Sequence, residues 1–310
     1  MIPPKLSRGD EIRIIAPSGS LSRVRPDVLD RALAHLEENG FRVTFSRNCR
    51  EMDRFSSSSV ASRVADLHEA FADPQVRAVM ACIGGFNVNQ ILPHLDYGLI
   101  GANPKILCGY SDITALLCAV HARTGLVTYH APHLAALGFL REREYTHRYL
   151  TDCLMGASPV TVRPSEAAGS WTVLQEGTCE GEIVGGNLCT LNLLQGTPYM
   201  PEIRDRVLFL EDDNIMGDYF PYEFDRNLQS LLQVSGGDSV RGIVFGRFEE
   251  SCGMTVETIR AIIAGKVSPE IPVIFGADFG HVFPMFSFPV GGRVRLCARG
   301  DRAEIVVTEH

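Results

Sequence analysis

The chain has 310 residues, 45% of them hydrophobic and 21% charged, and a formal net charge of −8. Such a composition describes a globular protein long enough for about two domains, and the interspersed acidic surplus argues against a nucleic-acid backbone as partner. No stretch approaches the roughly 18 apolar residues of a membrane span, and no long apolar signal core opens the chain. The nine cysteines contain no Cys-x-x-Cys pair, so the expectation is a protein of the reducing cytoplasm, working off the membrane.

The first half alternates strand and helix signals. Glu11–Ala16 reads as an apolar strand ending at Pro17-Ser18-Gly19, and Pro26–Asn39 has helical periodicity that stops at Gly40. Phe41–Phe45 alternates like a strand. Ser58–Ala72 predicts a helix behind a serine-rich cap. Val76–Ile83 predicts a buried strand broken at Gly84-Gly85, followed by a helix over Val88–Leu95. A strand at Lys105–Cys108 and a helix from Asp112 to Arg123 come next. This alternation predicts an α/β fold with a parallel sheet, whose site lies beyond the carboxyl ends of its strands. Around 157–170 the pattern lapses into Pro, Ser, Gly and Ala, which reads as a linker between domains at 1–156 and 171–310. The second unit has short strands (Thr172–Leu174, Gly181–Val184, Val207–Leu210, Gly242–Phe245, Val273–Phe275, Arg293–Cys297, Glu304–Val307) interrupted by helices, a mixed α/β texture.

Ser111 stands at a strand–helix joint, in Cys-Gly-Tyr-Ser-Asp-Ile-Thr. A sharp turn there lifts a hydroxyl above a sheet, and the helix N-terminus beside it favours developing negative charge. The same pattern also suits a plain helix cap. A nucleophilic serine needs a base. His281 ends a buried strand in Asp-Phe-Gly-His, while His130 and His133 flank Ala131-Pro132 after another strand and are further candidates to line the same mouth. Glu211 terminates Val-Leu-Phe-Leu-Glu. The acidic run Glu211-Asp212-Asp213 reads equally as a solvated turn, and it lacks the spacing of a calcium loop, so no metal is expected. Gly84-Gly85 is either a tight turn or a place where backbone approaches a ligand.

These residues fall into an ordered set of motifs: Ile-Gly-Gly-Phe-Asn at 83–87, Gly-Tyr-Ser-Asp-Ile-Thr at 109–114, Gly-Gly-Asn-Leu at 185–188, Phe-Leu-Glu-Asp at 209–212, Phe-Asp-Arg-Asn-Leu at 224–228 and Phe-Gly-His at 279–281. Together they resemble the LD-carboxypeptidase family over nearly the whole chain. The resemblance implies a Ser-Glu-His triad at Ser111, Glu211 and His281, and a homodimer without cofactor. It also implies an N-terminal flavodoxin-like or class I glutamine amidotransferase-like domain that carries the serine. A C-terminal swivelling-type domain then carries the acid and the histidine. In that frame His281 accepts the Ser111 proton, Glu211 steadies the imidazole, and the backbone amides of Gly85 and Asp112 form the oxyanion hole.

The resemblance implies either of two substrates. Murein LD-carboxypeptidases remove the terminal D-alanine of tetrapeptides, whereas microcin C immunity hydrolases cut aminoacyl or peptidyl nucleotides. Ile83-Gly84-Gly85-Phe86-Asn87 is similar to the second branch, since the murein enzymes place Arg where this chain has Ile83. The short stretch before Gly185 departs from that branch, which carries adenine-stacking tryptophans there; Trp171 is the chain's single tryptophan. Peptide hydrolysis at an L–D linkage is the favoured expectation, with Gly84, Asn87, Trp171 and Asn187 as substrate-binding candidates, although a lone tryptophan beside a strand more often serves packing. An inactive peptide-binding sensor and a metal-dependent hydrolase are the contrasting classes.

Overall fold

The computed structural model describes residues 1–139, 143–157 and 159–310; Ser158, within the expected linker, lies outside them. Strands β1 (Glu11–Ile15), β2 (Arg42–Phe45), β3 (Val76–Ala81), β4 (Ile106–Gly109) and β5 (Thr128–His130) run parallel in one sheet. Helices α1 (Pro26–Glu38), α2 (Val60–Ala72), α3 (Tyr97–Ala102), α4 (Thr114–Thr124), α5 (Leu134–Phe139) and α6 (Arg143–Leu154) accompany them. Val76–Ala81 is buried at every position but Arg77, as expected of a parallel strand covered on both faces. The segment Val88–Leu95, expected to be helical, forms a 3-10 turn instead, with Pro93 inside it. A proline lacks the amide needed to continue an α-helix.

The second sheet contains β6 (Val160–Val162), β7 (Thr172–Gln175), β8 (Gly177–Asn187), β9 (Arg206–Glu211), β10 (Gly242–Gly246), β11 (Val273–Ala277), β13 (Arg293–Arg299) and β14 (Arg302–Glu309). Helices α7 (Leu188–Asn192), α8 (Phe220–Leu232) and α9 (Val256–Ile263) complete this unit. Its centre, β8-β9-β10-β11, is parallel, and antiparallel strands flank it on both sides.

Two segments depart from the sequence expectation. The stretch read as a linker contains β6, which pairs antiparallel with β14 and so belongs to the second sheet. Strand β12 (Phe288–Val290) pairs antiparallel with β5 and closes the edge of the first sheet. Pro289 is tolerated there because an edge strand need not donate on both sides.

The core explains how the sheets meet. One face of the first sheet packs on α1, α5 and α6. The other face joins a larger apolar cluster that runs through α4 into the second unit. Ala115–Val120 of α4 is fully buried, which suits a helix apolar on all sides and enclosed between layers. A Cβ on Gly186 would stand 2.5 Å from Thr114 Oγ1, and one on Gly185 only 1.9 Å from the Phe209 carbonyl oxygen. Gly186 therefore allows the second sheet to press against the helix that begins just after Ser111, while Gly185 allows β8 to lie close on its neighbour β9.

Candidate active site

β4 ends at Gly109, Tyr110 continues extended, and Ser111 then turns into the left-handed region at φ 65° before a 3-10 turn leads into α4. A non-glycine residue there is strained by roughly 1–3 kcal/mol, a cost that surrounding structure must hold in place. Asp112 does much of that holding. Its buried carboxylate accepts from Ser18 Oγ at 2.5 Å and from the Val88 amide at 2.9 Å. The ends of β1, β3 and β4 are thus tied at one point. Burial pushes the Asp112 carboxyl up, and these donors oppose that shift.

Glu211 and His281 arrive from the second unit. Ser111 Oγ lies 3.1 Å from His281 Nε2, and His281 Nδ1 lies 2.7 Å from Glu211 Oε2. Glu211 is completely buried. Burial disfavours its charge, but His281 and His130 outweigh that and hold it at about 2. Burial likewise works against a charged His281, yet Glu211, then Asp213 and Asp212, raise it to about 9. This arrangement can move a proton from the Ser111 hydroxyl to His281 and stabilise the resulting imidazolium.

The backbone beside Ser111 packs too closely to carry side chains. A Cβ on Gly84 would stand 3.0 Å from Ser111 Oγ, and one on Gly85 would stand 2.3 Å from Ser18 Oγ. Among the described residues, the amides of Gly85 and Asp112 donate to no protein acceptor.

The remaining candidates are placed differently. Trp171 is 3% exposed, and its indole donates to Asp278 Oδ2 at 2.9 Å, so it is a core residue and no stacking platform. Asn187 is also buried: it caps α7 by accepting from the Thr190 amide, and it donates to Asp212 Oδ1. Asn87 is half-buried, with its side-chain oxygen held by Ser57 and Arg63. His133 is stacked on Tyr110 at 4.6 Å, and burial lowers it to about 3, so it stays neutral. His130 stands behind the acid, its Nε2 3.8 Å from Glu211 Oε1, and its ring lies flat on Phe288 of β12. The acidic run is divided: Glu211 faces His281, while Asp212 accepts from Asn187 and the Cys189 amide. Burial, then the neighbouring Glu211 and Asp213, raise Asp212 well above the usual carboxylate range. Among the described residues no cluster of three or more His, Cys, Asp and Glu is gathered to hold a metal, and no helix is long and apolar enough to cross a membrane.

Sequence reasoning missed the clamp on the histidine loop. Arg247 Nη2 donates to the carbonyls of Phe283 and Pro284 at 3.0 and 3.2 Å and pairs with the buried Asp278 at 3.3 Å. Asp278 also accepts from Ser165 and Trp171. Both ends of the loop bearing His281 are therefore anchored. The one available signal was a charged residue, Asp278, inside an otherwise apolar strand end.

Comparison with known proteins agrees with this layout. The model of the LD-carboxypeptidase N-terminal domain matches residues 12–131, and that of the LD-carboxypeptidase C-terminal domain matches residues 180–296. A protein named "Probable murein peptide carboxypeptidase" from Bacillus subtilis (strain 168) is 33% identical, over 95% of this chain and 91% of its own. The crystal structure of an MccF-like protein from Bacillus anthracis str. Ames is 45% identical, covers 100% of both chains and superposes with a TM-score of 0.96. The microcin C7 self-immunity protein MccF in complex with aspartyl sulfamoyl adenosine is 28% identical, covers 100% of this chain and 99% of its own, and has a TM-score of 0.88.

Proposed function

The chain belongs to the LD-carboxypeptidase family, and on that premise we propose that it is a serine peptidase that cleaves an L–D peptide bond of a murein-type peptide. The observation that carries the reading is the continuous line Ser111–His281–Glu211, with contacts of 3.1 and 2.7 Å. In this reaction Ser111 Oγ attacks the scissile carbonyl carbon while its proton passes to His281 Nε2. The oxyanion is received by the amides of Gly85 and Asp112. His281 then returns the proton to the leaving amine, the C–N bond breaks, and an ester on Ser111 is left. Water, deprotonated by His281, hydrolyses that ester and frees the serine. Glu211 holds the imidazole in one tautomer and offsets its charge. The protein works in the cytoplasm as a homodimer of two-domain subunits, the serine on one domain and its two partners on the other.

A second reading is hydrolysis of aminoacyl or peptidyl nucleotides, favoured by the 45% identity to an MccF-like protein. The burial of Trp171 weighs against it, because the chain's single indole has no face free for a nucleobase. A peptide-binding sensor without turnover would have no use for a strained serine, a buried acid and a histidine in register. Side-by-side turnover of a murein tetrapeptide and of aspartyl sulfamoyl adenosine tests the choice. D-alanine release faster than loss of the nucleoside supports the peptidase. Hydrolysis of the nucleoside alone replaces it with the second reading, and hydrolysis of neither overturns both.

A further inference from the structure

When His281 is neutral, as a base must be, the buried Glu211 keeps an unbalanced charge beneath the mouth, and the part-exposed Asp213 adds to it with Oδ2 3.9 Å from His281 Nε2. An approaching anion is repelled by this field unless a cation offsets it. Removal of a C-terminal residue requires such an anion to come close, because the terminal carboxylate lies only a few bonds from the scissile carbonyl.

Most of the nearby cations are already committed. Arg63 is 3% exposed and donates to the carbonyls of Pro17 and Asn87, to Asn87 Oδ1 and to Gln90 Oε1. Arg247 is spent on Asp278 and the histidine loop. Arg23 differs. It closes the 3-10 turn Leu21–Arg23 just past the end of β1, and among the described residues its guanidinium has no hydrogen bond or ion pair. The exposed side chain nevertheless folds back over the sheet. A Cβ placed on Gly19 would stand 3.0 Å from Arg23 Nη1, 2.5 Å from the Gly84 carbonyl oxygen and 3.1 Å from Ile83 Cγ2. Gly84 meets Ser111 Oγ on its other side, at 3.0 Å from its own Cβ position. Gly84 therefore has the serine hydroxyl beside its Cα and, through Gly19 at its carbonyl, a guanidinium that is unpaired among the described residues.

We propose that Arg23 is a specificity residue that binds the free carboxylate of the substrate's departing C-terminal residue. This assignment rests on the peptidase reading above. The guanidinium presents a planar fork of donors matched to a carboxylate, and a charge-assisted pair of that kind is shorter and stronger than a neutral one. Asp213 neighbours the imidazole, whereas Arg23 neighbours Gly19 and the Ile83-Gly84 backbone, so negative and positive charge stand beside different partners of Ser111. The carboxylate is drawn to the Arg23 flank, and that sets the direction in which the chain lies over Ser111.

Two peptides test the assignment: a murein tetrapeptide ending in a free carboxylate and the same peptide ending in a carboxamide. Turnover is measured for the natural chain, Arg23→Ala and Arg23→Lys, and equilibrium binding is measured with each change placed on Ser111→Ala. In the natural chain the carboxylate peptide is preferred. Arg23→Ala lowers its kcat/KM by about 10- to 100-fold, mainly through KM, and removes the preference. Arg23→Lys, which keeps the charge without the fork, retains part of it. An equal loss for both peptides, or no loss for either, overturns the proposal. A preference seen with adenosine monophosphate but absent from the peptide pair also overturns it, because the anion read would then be a phosphate. The binding arm separates the two claims. If the natural chain turns over neither peptide, the peptidase reading fails, while a carboxylate preference in binding that vanishes with Arg23→Ala still supports Arg23. The absence of that preference in binding overturns Arg23 alone.

Discussion

Ser111 reaches the cleft through local backbone geometry, whereas Glu211 and His281 reach it through long-range packing. On the serine side, a few consecutive residues make a left-handed turn, and Asp112 ties it to the ends of the neighbouring strands. On the acid–base side, a fully buried carboxylate and a loop histidine depend on each other's charge and on the Arg247–Asp278 clamp. The contrast teaches where each half is vulnerable: the first to a change in one atom, the second to changes that leave the reacting atoms in place.

The sharpest break is Ser111→Ala. Steady-state turnover should fall by about 10⁴- to 10⁶-fold, as expected for loss of a nucleophile, while thermal unfolding stays nearly unchanged. Turnover kept within tenfold would remove the serine side of the comparison. Next in size is Glu211→Gln, which keeps the shape and removes the charge. A loss of about 10³- to 10⁴-fold is expected. Its pH profile is the more telling readout. In the proposed reaction His281 acts as a base only when neutral, so kcat/KM of the natural chain should rise with pH towards the value of about 9. Without the Glu211 charge, burial dominates and this acid limb moves to lower pH. An unmoved limb would mean that Glu211 does not set the imidazole.

The same pair has a stability signature. Glu211 is lowered from 4.5, so its contribution is present above about 4.5 and lost as pH falls through about 2. His281 is raised from 6.5, so its contribution is full below about 6.5 and lost as pH rises through about 9. Stability from this pair is therefore greatest between those ordinary values, below the pH at which the histidine becomes an effective base. Urea unfolding across pH, compared with Glu211→Gln, measures the difference.

Smaller effects probe the supporting structure. Arg247→Met leaves Asp278 buried without its cation and should cost about 3 kcal/mol of stability. Turnover should fall by about 10- to 100-fold as His281 loosens. On the serine side, Ser111→Gly should be more stable than Ser111→Ala by about 1 kcal/mol, because glycine accepts φ 65° without strain. Equal stabilities would show that the turn stores no strain.

This asymmetry also governs what could be read from residues alone. The parallel sheet and the joint at Ser111 follow from local signals, since apolar runs, glycine stops and caps report on their own neighbourhood. β12 did not, because Phe288-Pro289-Val290 is short, contains a proline and pairs with β5, which lies far away in the chain. β6 reads as linker for the same reason, being three residues on a sheet edge. For Trp171 the residues alone leave stacking and packing open, because the choice is made by Asp278 and Phe286, neither adjacent to it in the chain. Glu211 and His281 were legible as strand-end residues and through the ordered motifs. The roles of His130, Arg247 and the Gly186 contact with Thr114 depend on layers that only the folded chain brings together.

The most direct test of the central claim is the intact mass and peptide map of the protein after reaction with a fluorophosphonate. One adduct per chain on the peptide bearing Ser111 is expected, forming faster near pH 9 than near pH 6 and absent from Ser111→Ala. A chain that hydrolyses its substrate yet takes no adduct, or takes one elsewhere that Ser111→Ala retains, would contradict it.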